Sequence, residues 1–370
     1  MTRSRRTTIH SISAIPVLCM RDGSTGTFLA GPARLAMTVP PKFIRRLVVA
    51  PTMLVAIVFA NLFLPVWVVI AAFVSRYVPG RWRILRVAWF LFVYLLLEAI
   101  GIVVLFALWV ASGCGWKLGS PRFVDLHYRF MGWFLRRALG VARKTFRVVI
   151  DVQAHDIAHA DRPLIVFSRH AGPGDSFLLI DALLNGPNRR RPRIVLKNTL
   201  QWDPCVDILL NRLPNRFVGS GRSGAGQRSV EAIAELTSTM TAGDAFVIFP
   251  EGGNFTPRRH ARAIEKLDEI GRPELAERAR GMEHVLPPKP AGALAAIDAA
   301  PTADVMFVGH VGLEALSTVS DIWRGIPMDA SVSATFWVTN AIDVPAPADR
   351  ERWLYDEWKR LDDWIAANAT

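Results

Sequence analysis

The chain has few cysteines: three in 370 residues, Cys19, Cys114 and Cys205, far apart and odd in number. That excludes a disulfide framework and a cysteine zinc cluster, and it fits a reducing compartment. No GxSxG elbow and no HExxH pair occurs, so neither a serine-hydrolase nucleophile nor a zincin metal pair is present. Acidic residues are the scarcer sign, with 32 Asp and Glu against 44 Lys and Arg and a net charge of +12. A surplus of that size favours an anionic partner, either nucleic acid or an acidic membrane surface. Charge is missing altogether from Leu47 to Val74 and, apart from Glu98, from Val87 to Gly113. Each run exceeds the roughly 20 apolar residues that a spanning helix needs. The partner expected is therefore a membrane bilayer and not nucleic acid.

The two runs flank "SRYVPGRWRILR", a turn with Pro79-Gly80 and four arginines, and so read as a helical hairpin. Basic residues stand before it (Lys42, Arg45, Arg46), within its turn and after it (Lys117, Arg122). Such even flanks give the positive-inside rule no asymmetry to read. A full span and a dip into one leaflet, with Pro51 and Pro65 bending the first helix, both stay open. Glu98 either has a role within the membrane, or simply faces the partner helix or snorkels. The opening "MTRSRRTTIHSISAIPVLCM" has a basic start but a weak apolar run and no small-residue cleavage site, so no signal peptide is expected. The divisions expected are a basic segment 1–46, a membrane hairpin 47–113 and a body 114–370.

The body begins with 122–145, a basic amphipathic helix suited to a membrane surface. Strand candidates follow at 146–152, 163–168, 192–197, 216–220, 245–250, 304–310 and 333–339. Helical patterns at 176–186, 201–213, 226–242, 257–280 and 291–300 lie between them. The alternation predicts an α/β fold, a mainly parallel sheet covered by helices. A last segment, 349–367, sets Trp353, Leu354, Trp358, Leu361, Trp364 and Ile365 at helical spacing and reads as a helix docked on the body.

Two stretches carry chemistry. In "VFSRHAGPGDSFLLID", His170 follows an apolar strand, and Asp175 stands across Gly172-Pro173-Gly174. The turn can return the carboxylate to one imidazole nitrogen and leave the other as a base. With no serine nucleophile nearby, the attacking hydroxyl would come from substrate. The alternative is a helix-capping Asp beside a solvated His. In "VIFPEGGNFTPRR", a second strand ends in Glu251, Gly252 and Gly253, followed by Arg258 and Arg259, which suit phosphate. "HDIAH" at 155–159 spaces two histidines one helical turn apart, but no third ligand follows and a surface role is expected.

Taken in order, HX4D after one strand, FPEG at a later one 81 residues on, and an apolar N-terminal hairpin resemble the membrane glycerolipid acyltransferases that acylate lysophosphatidate. Between them "KNTLQWDPCVDILLNRLPNRFVGSGRSG" is similar to the family's KxxLxxxP segment, with Lys197, Leu200 and Pro204 in place. "HVLPPKPAG" resembles its later motif through Leu286, Pro287, Lys289 and Gly292. The resemblance implies that His170 is the base, Asp175 orients it, and Glu251 and Gly252 hold the acceptor's glycerol phosphate. It implies an arginine for the phosphate, Arg222 or Arg216, and no metal or nucleotide cofactor. The donor implied is an acyl thioester, acyl-CoA or acyl carrier protein, met on the cytosolic face of the cell membrane. The acceptor implied is an anionic lysophospholipid. A membrane-anchored lipid or thioester hydrolase, and acylation of a different lysolipid, are the alternative readings. Arg169 stands where the family has Asn, Gly172 where it has Ser, and Gly253 where it has Thr, changes expected to lie in the acceptor pocket.

Overall fold

The computed structural model describes residues 39–154, 161–172, 174–219, 225–313 and 323–369. Two of its helices are long and apolar enough to cross a membrane by length and composition: α1 (Lys42–Leu62) and α3 (Arg83–Ala111). The first apolar run is not one rod. It breaks at Phe63, and α2 (Leu64–Ser75) starts afresh. Pro65 has no N–H to offer the carbonyl of Asn61, which ends the ladder there. The turn that follows is closed by the N–H of Leu85 donating to Ser75 Oγ at 3.0 Å.

The amphipathic helix forms as α4 (Pro121–Phe146), but its apolar face is taken by the protein. Tyr128, Phe130, Met131 and Leu135 enter a core with Leu105 of α3 and Leu164 and Val166 of the sheet. What α4 leaves outside is mostly basic, Arg129, Arg136, Arg137, Arg143 and Lys144 with Trp133 among them, so the helix presents cations and not an apolar stripe.

All seven predicted strands form: β1 (Val148–Ala154), β2 (Leu164–Ser168), β3 (Arg191–Lys197), β4 (Arg216–Val218), β5 (Asp244–Ile248), β6 (Asp304–Val311) and β7 (Ala330–Thr339). They make one sheet in the order β1-β7-β6-β2-β5-β3-β4. Every neighbouring pair is parallel except β6 and β7. The fold is thus α/β with a mainly parallel, helix-covered sheet.

Side chains of the central strands alternate between two cores, as the period of two requires. Ile165, Phe167 and Phe246 face a core with α7 (Ala225–Ser238), α10 (Pro290–Ala299) and α11 (Arg350–Asn368). Leu164, Val166, Ala245 and Val247 face the other core, with α4, α5 (Asp175–Asn185) and α6 (Pro204–Leu210). On α11, Leu354, Trp358, Leu361 and Ile365 are fully buried, as their spacing predicts. Burial of this kind contributes at most about 1.5–3 kcal/mol per side chain.

Two predicted helices divide where local chemistry interrupts them. The 257–280 pattern becomes α8 (Pro257–Glu269) and α9 (Pro273–Arg280), parted by Gly271 at φ +72° and by Pro273. The 201–213 pattern opens as a 3-10 turn, Asn198–Trp202. It becomes α6 only where Asp203 caps the N–H of Val206 and Pro204 takes the first helical position.

The topology sets the place of the site. From β2 the chain passes beyond β5 to reach β3, and from β5 it passes beyond β2 to reach β6. Neighbouring strands whose connections leave in opposite directions open a crevice at their C-terminal ends. His170 lies two residues past β2, and Glu251 three past β5.

Candidate active site

β2 is buried from end to end, so the first chain able to reach solvent is the segment after Ser168. There Asp175, first residue of α5, turns back over Gly172 and gathers donors. Its Oδ2 accepts His170 Nδ1 at 2.8 Å and the N–H groups of Ala171 at 2.9 Å and Gly172 at 3.1 Å. Its Oδ1 accepts the N–H of Ser176 at 2.6 Å. Burial by itself raises the Asp175 pKa, but the His170 ring, the N–H of Gly172 and nearby His310 outweigh it and hold the carboxyl below its ordinary range. The imidazole lies at the mouth with 26% of its side chain exposed. Phe249 backs the ring at 4.9 Å between centroids. With Nδ1 held by an ionised carboxylate, the tautomer that leaves Nε2 as a base is favoured. Of the two readings of this stretch, the structure has the paired one.

Glu251 completes the crevice from β5. The side chain is 2% exposed and points inward. Its Oε1 accepts the N–H of His170 and its Oε2 that of Leu286, both at 3.3 Å. So placed, it ties the His170 turn to the 286 segment. Burial drives its pKa up to about 8, against the lowering effect of both N–H groups and of the Arg169 charge.

Residues 149–304 match the family model described as Acyltransferase. The chain is also similar to the crystal structure of the 1-acyl-sn-glycerophosphate (LPA) acyltransferase, PlsC, from Thermotoga maritima. The two share 14% identity and a TM-score of 0.42 over 88% of this chain and 99% of that one. No curated protein matches.

Within the matched stretch the remaining expected site residues scatter. Gly252 has φ +68° and its backbone lies bare beneath Lys289, whose Nζ would stand 2.5 Å from an added Cβ. Lys197 is exposed at the C-terminal end of β3, next to β5. Arg216 is not brought to the crevice: β4 is the edge strand, and its guanidinium is paired with Glu235. Arg222 and the HDIAH stretch lie outside the described residues.

Arg169, expected in the acceptor pocket, is buried in the structure, 2% exposed. It donates to the carbonyls of His310 at 2.6 Å and His284 at 3.0 Å, pinning β6 and the 284 segment to the His170 turn. His310 was not picked out from the sequence. It ends β6 with Nε2 3.3 Å from the Arg169 carbonyl and 3.9 Å from Asp175 Oδ2, a second imidazole behind the carboxylate. A histidine at a strand end was visible in the sequence, but its adjacency to β2 comes only from strand order. Among the described residues no three His, Cys, Asp or Glu side chains gather as metal ligands. Hollows of about 290 and 280 Å³ lie along α4, one lined by Arg129, Trp133 and Arg136 and the other by Arg143 and Lys144, and neither touches His170. The chemistry, and not the size of a hollow, locates the site.

Proposed function

We propose that the protein is a membrane-bound acyltransferase that moves a fatty acyl group from an acyl thioester to the hydroxyl of a lysophospholipid. The reaction its motif set resembles is lysophosphatidate to phosphatidate. The observation that carries this reading is the 2.8 Å His170–Asp175 pair at the strand ends of a stretch that matches the acyltransferase family model. His170 Nε2 takes the proton of the acceptor hydroxyl as its oxygen attacks the thioester carbonyl. Asp175 holds the ring and stabilises the imidazolium that forms. The tetrahedral intermediate collapses, the C–S bond breaks, and the departing thiolate recovers the proton. No covalent acyl-enzyme is needed, because the acceptor supplies the nucleophile. Acyl-CoA and acyl carrier protein both provide the required thioester.

Membrane attachment rests on α1, α2 and α3, whose outer sides expose Val55, Phe59, Leu62, Trp67, Phe73, Trp89, Val103 and Phe106. The geometry favours a hairpin in one leaflet over a full span. From Phe90, 4.9 Å from Phe146, to Leu105 in the core with Tyr128, α3 runs along α4. Over that length α4 exposes Arg129, Arg136, Arg137, Arg143 and Lys144. A crossing α3 would bring these charges into hydrocarbon, where each costs about 2.5–3.5 kcal/mol near the centre. A hairpin lying in the cytosolic leaflet avoids that and leaves the catalytic edge where thioesters are made.

The test is mass spectrometry of products after purified protein in vesicles meets mixed lysolipids and acyl thioesters. The reading requires a new diacyl lipid, absent with His170→Ala. Free fatty acid released at the full rate without any acceptor would instead make the protein a hydrolase.

A further inference from the structure

We infer that His310 is a positioning residue for the base: its ring grips the backbone one residue before His170 and keeps that imidazole seated on Asp175. This rests on the acyl-transfer reading above, in which His170 Nε2 takes the acceptor's proton. The reason lies where two strands part. β2 and β6 pair in parallel as far as Ser168 and Val308. The N–H of Arg169 extends the ladder by one bond, to the Val308 carbonyl at 3.2 Å. Beyond it β6 continues beside β7, with His310 opposite Ala334, while the other chain swings away into the turn that leads to α5. At that fork side chains take over from the ladder. The Arg169 guanidinium donates to the His310 carbonyl at 2.6 Å, and the Arg169 carbonyl accepts from His310 Nε2 at 3.3 Å. A carbonyl can only accept, so Nε2 carries the ring proton. Each of the two residues thus holds the main chain of the other.

The grip matters because of what stands next to it. His170 follows Arg169 directly, and its Nδ1 reaches Asp175 Oδ2 at 2.8 Å. The same His310 Nε2 lies 3.9 Å from that oxygen. Oδ2 already accepts three donors, His170 Nδ1 and the N–H groups of Ala171 and Gly172. His310 therefore adds no fourth bond; it stands behind the carboxylate with its N–H edge toward the negative charge. Two imidazoles flank one oxygen, and they are not equivalent. His170 has 26% of its side chain exposed, His310 only 7%. An apolar side chain would fill the His310 site without the cost of burying a polar ring. What it could not do is hold the Arg169 carbonyl. A reacting group displaced by about 1 Å can lose roughly 10²-fold in rate, so slack at residue 169 is felt at the neighbouring base.

The experiment replaces His310 in the full-length protein and reads both turnover and the diad. His310→Phe keeps the bulk of the ring and removes the donor. It should lower kcat roughly 10- to 100-fold while KM for lysolipid and thioester stays in place. His310→Gln, whose amide N–H can reach the Arg169 carbonyl, should recover most of that loss. His310→Asn, too short to reach it, should not, and the Gln and Asn pair decides the matter if His310→Phe does not fold. A kcat untouched in all three, a change confined to KM, or Gln no better than Asn would overturn the proposal. Nitrogen-15 NMR of histidine-labelled protein gives a readout that needs no turnover. The Nδ1–H signal of His170, assigned by its loss in His170→Gln, should be sharp in wild type and His310→Gln and broadened or lost in His310→Asn. That pattern in a protein that transfers acyl groups to no acceptor keeps the positioning role and removes the acyl-transfer reading. Acyl transfer with a diad signal indifferent to residue 310 does the reverse.

Discussion

Asp175 and Asp207 are equally buried, each with 1% of its side chain exposed, and each gathers several donors. Their partners set their uses apart. Asp175 holds an imidazole, a group able to accept and return a proton, and leaves that ring partly open. Asp207 holds the guanidinium of Arg45 through Nε at 3.1 Å and Nη2 at 2.7 Å, with Asn211 Nδ2 at 2.9 Å and Arg46 nearby. That charge is permanent, so the pair can only join α1 to α6. The same seam continues where Glu98 accepts the N–H of Cys205 at 3.0 Å and Arg212 donates to the Leu105 carbonyl at 2.8 Å. Glu98 thus faces the start of α6, and not the partner helix of the hairpin that its sequence reading named. A buried carboxylate, then, says nothing of catalysis until its partner is known.

The comparison breaks most sharply at His170. His170→Ala should reduce acyl transfer by a factor on the order of 10⁴, and Asp175→Asn by about 10²-fold or more, with the fold intact by circular dichroism. Near-wild-type transfer by His170→Ala would end the distinction between the two carboxylates. Asp207→Ala should act in the opposite manner, costing about 3–5 kcal/mol of stability because Arg45 is left buried without its counterion. Thermal unfolding in detergent reads that loss, while the rate per folded molecule should hold. If the rate collapses and stability does not, the seam is catalytic and the contrast fails.

Glu251 sharpens the contrast through pH. Its pKa of about 8 in the fold lies above the ordinary 4.5, so the folded state keeps a proton that the unfolded chain releases. Its contribution to stability is complete below about pH 4.5, falls through the window from 4.5 to 8, and is constant above it. Denaturant unfolding should show the difference between wild type and Glu251→Gln following that course, with a fixed offset for the altered hydrogen bonds. A difference that stays flat from pH 5 to 8 would show the carboxylate ionised throughout. The smallest effect expected is at Gly252, where φ +68° and the Lys289 contact oppose a side chain. Gly252→Ala should cost about 1–2 kcal/mol, visible as a lowered unfolding midpoint; an unchanged midpoint would mean that the turn relaxes freely.

Much of this was legible locally. Strands β1 to β7 announce themselves by short β-branched and aromatic runs, and His170–Asp175 lies within one turn, five residues apart. Helix breaks were less legible because Gly271 and the Asp203-Pro204 step interrupt patterns that hydrophobic spacing alone carries through. The face that a side chain presents was least legible. Glu251 and Arg169 look like pocket residues in the sequence and are buried supports in the fold. Arg216 looks like a phosphate ligand and is committed to Glu235.

By itself the sequence determined the elements, the apolar hairpin, the surplus of positive charge and the His–Asp diad, since each depends on residues within a few turns of one another. Tertiary structure decided which charges are neutralised and which stand open. That depends on strand order: β6 and β5 flank β2 though they lie far along the chain. Only that adjacency brings His310, Glu251 and the Lys289 segment around His170, because pairing between distant strands leaves no periodic trace in either one.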